Sequence, residues 1–185
     1  MKKIKVAFVK FCGMANGGTE KYLQTISALL PKSRFEVDFF YCDTAPYIGS
    51  DFKHSDTDVS RVEYTRSHGV NLIKFNVGAK NVLHPEHTWI NTDFWQVFDP
   101  SKYDIIQTGR AGHPEYPFTL INDTPIVDSI HLAGMAENKE NVKMTVLVSS
   151  EQREKWVSAG GDRNKSVVVS VPVIVPEVRK KCYRQ

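Results

Sequence analysis

Short runs of β-branched and aromatic residues alternate along this chain with stretches whose apolar positions recur every three or four residues. Residues 4–11 form the first run; it is short, apolar and rich in strand formers, so it reads as a buried strand. A loop at 12–18 follows and holds Gly13, Gly17 and Gly18. Thr19 can cap a helix there, with Glu20 well placed in the first turn. Tyr22, Leu23, Ile26, Leu29 and Leu30 recur at helical spacing, and Pro31 ends the helix. Further strands are predicted at 35–42, 70–75, 103–108, 125–130, 143–148 and 166–171. Helices are predicted at 56–67 with Gly69 as stop, at 89–98, briefly at 118–122, and from Ser149 through Trp156 with Gly160-Gly161 as stop. Pro172 and Pro176 resemble the opening of a linker.

Strands that alternate with helices imply an α/β fold: a mostly parallel sheet with helices on both faces. Such sheets bind ligands beyond the carboxyl ends of their strands. The connections at 12–18, 109–117 and 131–141 each follow a strand, so they should gather on one edge. That edge is the first place to look for a site.

Composition changes this picture little. The 185 residues suit one domain, and 41% hydrophobic with 24% charged residues is ordinary for a globular chain. A net charge of +3, with basic residues scattered apart from Arg179-Lys180-Lys181, gives no reason to expect nucleic acid. Cys12, Cys42 and Cys182 are odd in number and irregular in spacing, which argues against a disulfide framework and for a reducing, cytoplasmic compartment. Lys5 and Lys10 interrupt the apolar N-terminal run, so it does not read as a signal peptide. No stretch approaches the roughly 20 apolar residues of a membrane span, although a substrate could still sit on a membrane surface.

The candidate chemistry begins in the loop from Gly13 to Glu20. Glycines let the backbone approach a ligand closely, and free amides at a helix start favour an anion such as phosphate. A plain tight turn explains the same residues. Asp43, just past the second strand, could hold a ribose in a dinucleotide-binding enzyme, but the loop lacks both the Gly-x-Gly-x-x-Gly fingerprint and the Gly-Lys-Ser/Thr ending of a P-loop.

A first strand, a loop ending Gly17-Gly18-Thr19-Glu20 and an amphipathic helix resemble the N-terminal domain of glycosyltransferase family 4 enzymes. The resemblance continues in order. It runs through Phe94-Trp95 to the strand Asp104-Ile105-Ile106-Gln107-Thr108, and through Ile126-Val127-Asp128-Ser129-Ile130-His131. It then takes in Val146-Leu147-Val148-Ser149-Ser150 with Trp156 and Gly160-Gly161, and the strand running from Val167 to Pro172. Those enzymes have the GT-B fold, two Rossmann-like domains facing across a cleft. The resemblance implies a retaining enzyme that moves a sugar from a nucleotide-diphosphate sugar to a glycan or other acceptor. It places Gly17 and Gly18 near donor phosphate or acceptor, Glu20 at the helix start, and His131 in the cleft by the donor sugar, in positioning and charge stabilisation. A strand-end histidine can also act as acid or base, or can be purely structural.

Arg110, His113 and Glu115 in the loop after the fourth strand are candidate acceptor contacts: Arg110 for a phosphate or carboxylate, the other two for sugar hydroxyls. They map onto no general family motif. Tyr47 is a further acceptor-loop candidate. Phe94, Trp89 and Trp95 read as core before they read as sugar platforms. His84 and His87 fit a metal pair poorly and lack a third ligand by spacing, so neither metal nor cofactor is expected. Family 4 enzymes also carry a C-terminal domain whose paired glutamates help to hold the donor. Residues 1–176 are accordingly expected to form the acceptor-side domain, and 177–185 the start of a linker or tail. On this reading the chain alone has one wall of the cleft and little activity. Two other readings stay open: a stand-alone module that binds a glycan or nucleotide, and, less favoured, a dehydrogenase-like enzyme.

Overall fold

The computed structural model describes residues 2–43, 57–77, 92–110, 118–131 and 141–173, without the side chains of Arg110 and Thr119. Tyr47, His84, His87, Trp89, His113, Glu115 and the 177–185 segment lie outside the described residues.

Among the described residues, seven strands form one sheet, in the order β3-β2-β1-β4-β5-β6-β7, and every neighbouring pair is parallel. They are β1 (Ile4–Lys10), β2 (Phe35–Tyr41), β3 (Asn71–Lys74), β4 (Ile105–Arg110), β5 (Ile126–Ile130), β6 (Val142–Leu147) and β7 (Ser166–Val168). The helices are α1 (Gly18–Leu29), α2 (Val59–Ser67), α3 (Phe94–Val97) and α4 (Ser150–Ser158). This is a Rossmann-like α/β fold. The strand order reverses between β1 and β4, which makes their carboxyl ends the place where such a sheet opens a crevice.

The strands read as near-continuous apolar runs because both faces are covered. In β1, Val6 and Phe8 enter one core with Tyr22 and Leu23 of α1, while Ala7 and Val9 enter the other with Phe94 of α3. The second core is largely aromatic: Phe40 meets Phe94, Phe98 and Tyr103 with ring centroids 5.0 to 6.3 Å apart. Trp156 of α4 packs on Ile130 and Leu147.

Several predicted boundaries move. Thr19 does not cap α1; Gly17 does, with extended backbone and no capping side chain, and Thr19 is already helical. The helix predicted at 89–98 is, among the described residues, only α3. Thr92 instead bridges Val77, and the Asp93 carboxylate accepts bonds from the backbone and side chain of Asn76. The loop predicted from Gly109 starts later, because Gly109 and Arg110 still pair with Ser129 and Ile130. The capping role expected of Ser149 is present: its hydroxyl accepts from the amide of Gln152 at 3.1 Å. Gly69 ends α2 with φ 72°, where glycine carries no steric cost.

Candidate functional site

The register brings four elements together at the carboxyl edge. Val9 pairs Thr108, and Gly109 pairs Ser129. Lys10, Gly109 and Ser129 therefore run level across β1, β4 and β5, and His131 follows β5. By strand alternation Lys10 shares the face of Val6 and Phe8, which is the face under α1.

Gly109 sets how closely that helix sits. A Cβ there would stand 3.0 Å from both Leu23 Cδ1 and Thr19 Cγ2, so these side chains would have to give by a few tenths of an ångström to admit even alanine. With α1 seated, Tyr22 is buried against His131, ring centroids 4.7 Å apart at 70°. Burial pushes the Tyr22 phenol above its ordinary value, opposed by its hydrogen bond with Ser129. The Gln107 amide, on the neighbouring strand β4, donates to the Ser129 hydroxyl at 2.9 Å and helps to fix this row.

His131 Nε2 is buried and has no hydrogen-bond partner among the described residues. Burial, and secondarily the nearby Lys10 ammonium, push its pKa from 6.5 to about 4. At neutral pH the ring is thus uncharged and a weak base. That chemistry suits hydrogen bonding to a neutral hydroxyl better than proton transfer. The consequence for stability has a definite sign. Above about 6.5 the ring is neutral both folded and unfolded. As pH falls from 6.5 toward 4 the unfolded chain takes the proton first, so stability drops; below about 4 the loss is complete. We expect the His131 ring signals to stay neutral down to pH 5 in an NMR titration. His131→Phe should flatten this part of a stability-against-pH curve, and a ring that titrates near 6.5 would contradict the burial described.

The glycine loop is tightly held. The Gln24 side-chain amide, fully buried, donates to the carbonyls of Gly13 at 2.8 Å and Ala15 at 3.0 Å, and its oxygen accepts from Arg61 Nε at 2.5 Å. The Met14 carbonyl accepts from the amide of Asp58 at the start of α2. Cys12 takes φ 51°, unusual for a residue with a side chain, at the turn where the Gly13 amide donates back to Lys10. Around Gly18 the space is open, with nothing within 4 Å of where a Cβ would stand. Glu20 folds back over Gly17, its Oε2 filling the place where a Cβ of Gly17 would be, and its Oε1 lies 3.8 Å from Lys10 Nζ. A carboxylate thus stands at the helix start where the sequence suggests a phosphate.

Of the sequence candidates, the structure gathers Gly17, Gly18, Glu20 and His131 at this edge. It places Arg110 at the end of β4 by its backbone. Asp43 is engaged elsewhere, ion-paired to Lys74 and accepting from the Thr57 hydroxyl at 2.8 Å. Among the described residues no group of three His, Cys, Asp or Glu could hold a metal ion, and no helix is long and apolar enough to cross a membrane. Sequence reasoning missed Lys10 and Gln24. Lys10 looked like an interruption of an apolar strand, though a lysine at the last inward-facing position of a buried strand is itself a signal. Nothing in the sequence marks Gln24.

No family model and no curated protein matches the chain. Solved structures do. The chain is similar in fold to Anabaena HepE (Alr3699) in complex with UDP and glucose, with a TM-score of 0.55, 15% identity, and coverage of 92% of this chain and 45% of that one. It is likewise similar to the same protein in complex with UDP, with a TM-score of 0.53, 14% identity, and coverage of 93% and 44%. The likeness is one of fold, and the chain spans less than half the length of the protein it matches.

Proposed function

We propose that the chain is the N-terminal, acceptor-side half of a retaining GT-B glycosyltransferase that moves a sugar from a nucleotide-diphosphate sugar to a glycan or other acceptor. One observation carries this reading. The strand-reversal edge aligns a glycine loop, a helix start and a neutral strand-end histidine whose Nε2 is unsatisfied among the described residues. The ordered resemblance to family 4 motifs and a fold like that of a UDP- and glucose-binding protein support it. In this reading His131 hydrogen-bonds the donor sugar, and the loop at Gly17 and Gly18, whose backbone is open at Gly18, faces the diphosphate. Arg110, His113 and Glu115 are acceptor-side groups. Residues 1–176 form the domain and 177–185 the linker toward a second wall of the cleft.

Titration of the chain with UDP, UDP-glucose and NAD, followed by amide NMR, tests the reading. UDP and UDP-glucose should shift Gly17, Gly18 and His131, and NAD should not. Sugar transfer by the chain alone should be at or near background, because one wall cannot position both reactants or exclude water. Robust turnover by the isolated chain would show that it is not half a site. Shifts with glycans but none with UDP would favour a glycan-binding module instead.

A further inference from the structure

Polar residues interrupt the apolar sheet face under α1 at two positions beside His131. By alternation Gln107 of β4 shares that face with Ile105, and Ser129 of β5 shares it with Val127, both of which pack into the α1 core. A third polar group, the Tyr22 phenol, comes from α1, and Tyr22 is only 3% exposed. A leucine or phenylalanine would fill the same helical stripe without a hydroxyl to satisfy.

The three groups form one chain. The Gln107 side-chain amide donates to the Thr108 carbonyl at 2.8 Å and to the Ser129 hydroxyl at 2.9 Å. A carbonyl only accepts, so the orientation of this amide is fixed. Ser129 is fully buried and is hydrogen-bonded in turn to the Tyr22 phenol. A buried polar network whose members are satisfied is rigid. This one ends on the Tyr22 ring, which stands 4.7 Å from the His131 ring at 70°, the edge-on arrangement that such rings favour. His131 follows the last residue of β5, and its Nε2 makes no hydrogen bond among the described residues. On the α1 side the imidazole is thus placed by Tyr22, not by a bond at that nitrogen.

We propose that Tyr22, anchored through Ser129 to Gln107, is the positioning residue of His131: it holds the imidazole in the orientation that meets the donor sugar. This rests on the glycosyltransferase reading and adds to it the residues that aim its histidine. An unheld histidine has three staggered χ1 wells and a roughly twofold χ2, so about six orientations. Apparent affinity falls with the fraction of chains in the competent orientation, so losing the holder should weaken the sugar contact about three- to sixfold. Packing without aim predicts something else: a loosened α1 that weakens every ligand of this edge alike.

The test is calorimetric titration with UDP and UDP-glucose of wild type, Tyr22→Phe, Tyr22→Leu, His131→Ala and the variant carrying both Tyr22→Leu and His131→Ala. The ratio of the two affinities isolates the sugar contact. Tyr22→Leu should weaken UDP-glucose about three- to sixfold relative to UDP. Tyr22→Phe keeps the ring and should stay within about twofold of wild type. With His131 already replaced by alanine, Tyr22→Leu should change the ratio no further. A Tyr22→Leu ratio equal to that of wild type, or the same change in the absence of His131, would overturn the inference and leave the functional reading standing. A ratio that His131→Ala leaves unchanged would overturn the histidine's place in that reading and the inference with it. Failure of wild type to bind UDP-glucose would do the same. NMR of the wild-type chain decides the matter even if Tyr22→Leu does not fold. His131 should occupy one χ1 rotamer, with strong ring-to-ring NOEs to Tyr22, and an averaged ring would overturn the inference.

Discussion

Phe40→Ala should lower folding stability by about 3–5 kcal/mol, a large share of the 5–15 kcal/mol typical of a domain. Phe40 is completely buried in β2, between β3 and β1 in the sheet. Its ring meets Phe98 at 5.0 Å, Tyr103 at 5.9 Å and Phe94 at 6.3 Å, all edge-on. Its neighbours are stacked on one another, Phe94 on Phe98 and Phe98 on Tyr103, so they cannot easily close over a cavity. Because α3 has only four residues and no stability of its own, the loss should extend to it. Urea unfolding monitored by near-ultraviolet circular dichroism would show both the shifted midpoint and the lost aromatic signal. Leu29→Ala is the control: Leu29 is 55% exposed and should cost under about 1 kcal/mol. A Phe40→Ala cost equally small would mean that the aromatic layer does not hold the sheet.

The second large effect is expected at Gly13→Ala, at about 2–3 kcal/mol. The added methyl would stand 2.5 Å from Phe39 Cε1 and 2.9 Å from the Lys10 carbonyl. Neither neighbour gives way readily. Phe39 is fully buried and stacked on Phe8, and the Lys10 carbonyl is backbone that already accepts from the Gly13 amide. Relief must come from the loop, which would pull on the Gln24 bonds to Gly13 and Ala15 and shift the whole approach to α1. Gly18→Ala makes the contrast. It meets nothing and sits in the first turn of a helix, so its stability should change by under about 0.5 kcal/mol. If Gly18 faces a bound diphosphate, however, this variant should weaken UDP binding. Thermal melts and UDP titrations of the two variants would separate a glycine that the fold requires from one that a ligand requires.

These contrasts also explain how much could be read from the chain itself. β1, β2 and the end of α1 were legible because local signals agree there: an apolar run, a turn, a helical stripe and Pro31. His131 was legible because a strand-end position follows from the strand. The start of α1 was misassigned because Thr19 is a better capping residue than glycine. In the structure the helix begins earlier, with Gly17 as the cap and the Glu20 side chain folded back over it. Within the described part of the helix expected at 89–98, residues before Phe94 are not helical, because Asp93 bonds back to Asn76, a partner that no local pattern reveals. Gln24 and Lys10 escaped notice for the same reason, since their roles depend on which strand ends the sheet places side by side. The loop expected from Gly109 hides its place in β4, where it pairs with Ser129 and lies close under Leu23 and Thr19 of α1.

The sheet order also governs how the chain can fold as it is made. β1 finds β2 within the first 41 residues, but its other flank waits for β4, which begins at Ile105. At ordinary ribosomal rates of roughly 5–20 residues per second that wait lasts on the order of 3–13 s. Throughout that interval the strand that ends in Lys10 offers an open hydrogen-bonding edge and an uncovered apolar face. A nascent chain arrested before residue 105 should accordingly be captured by chaperones, and one released after β5 should not.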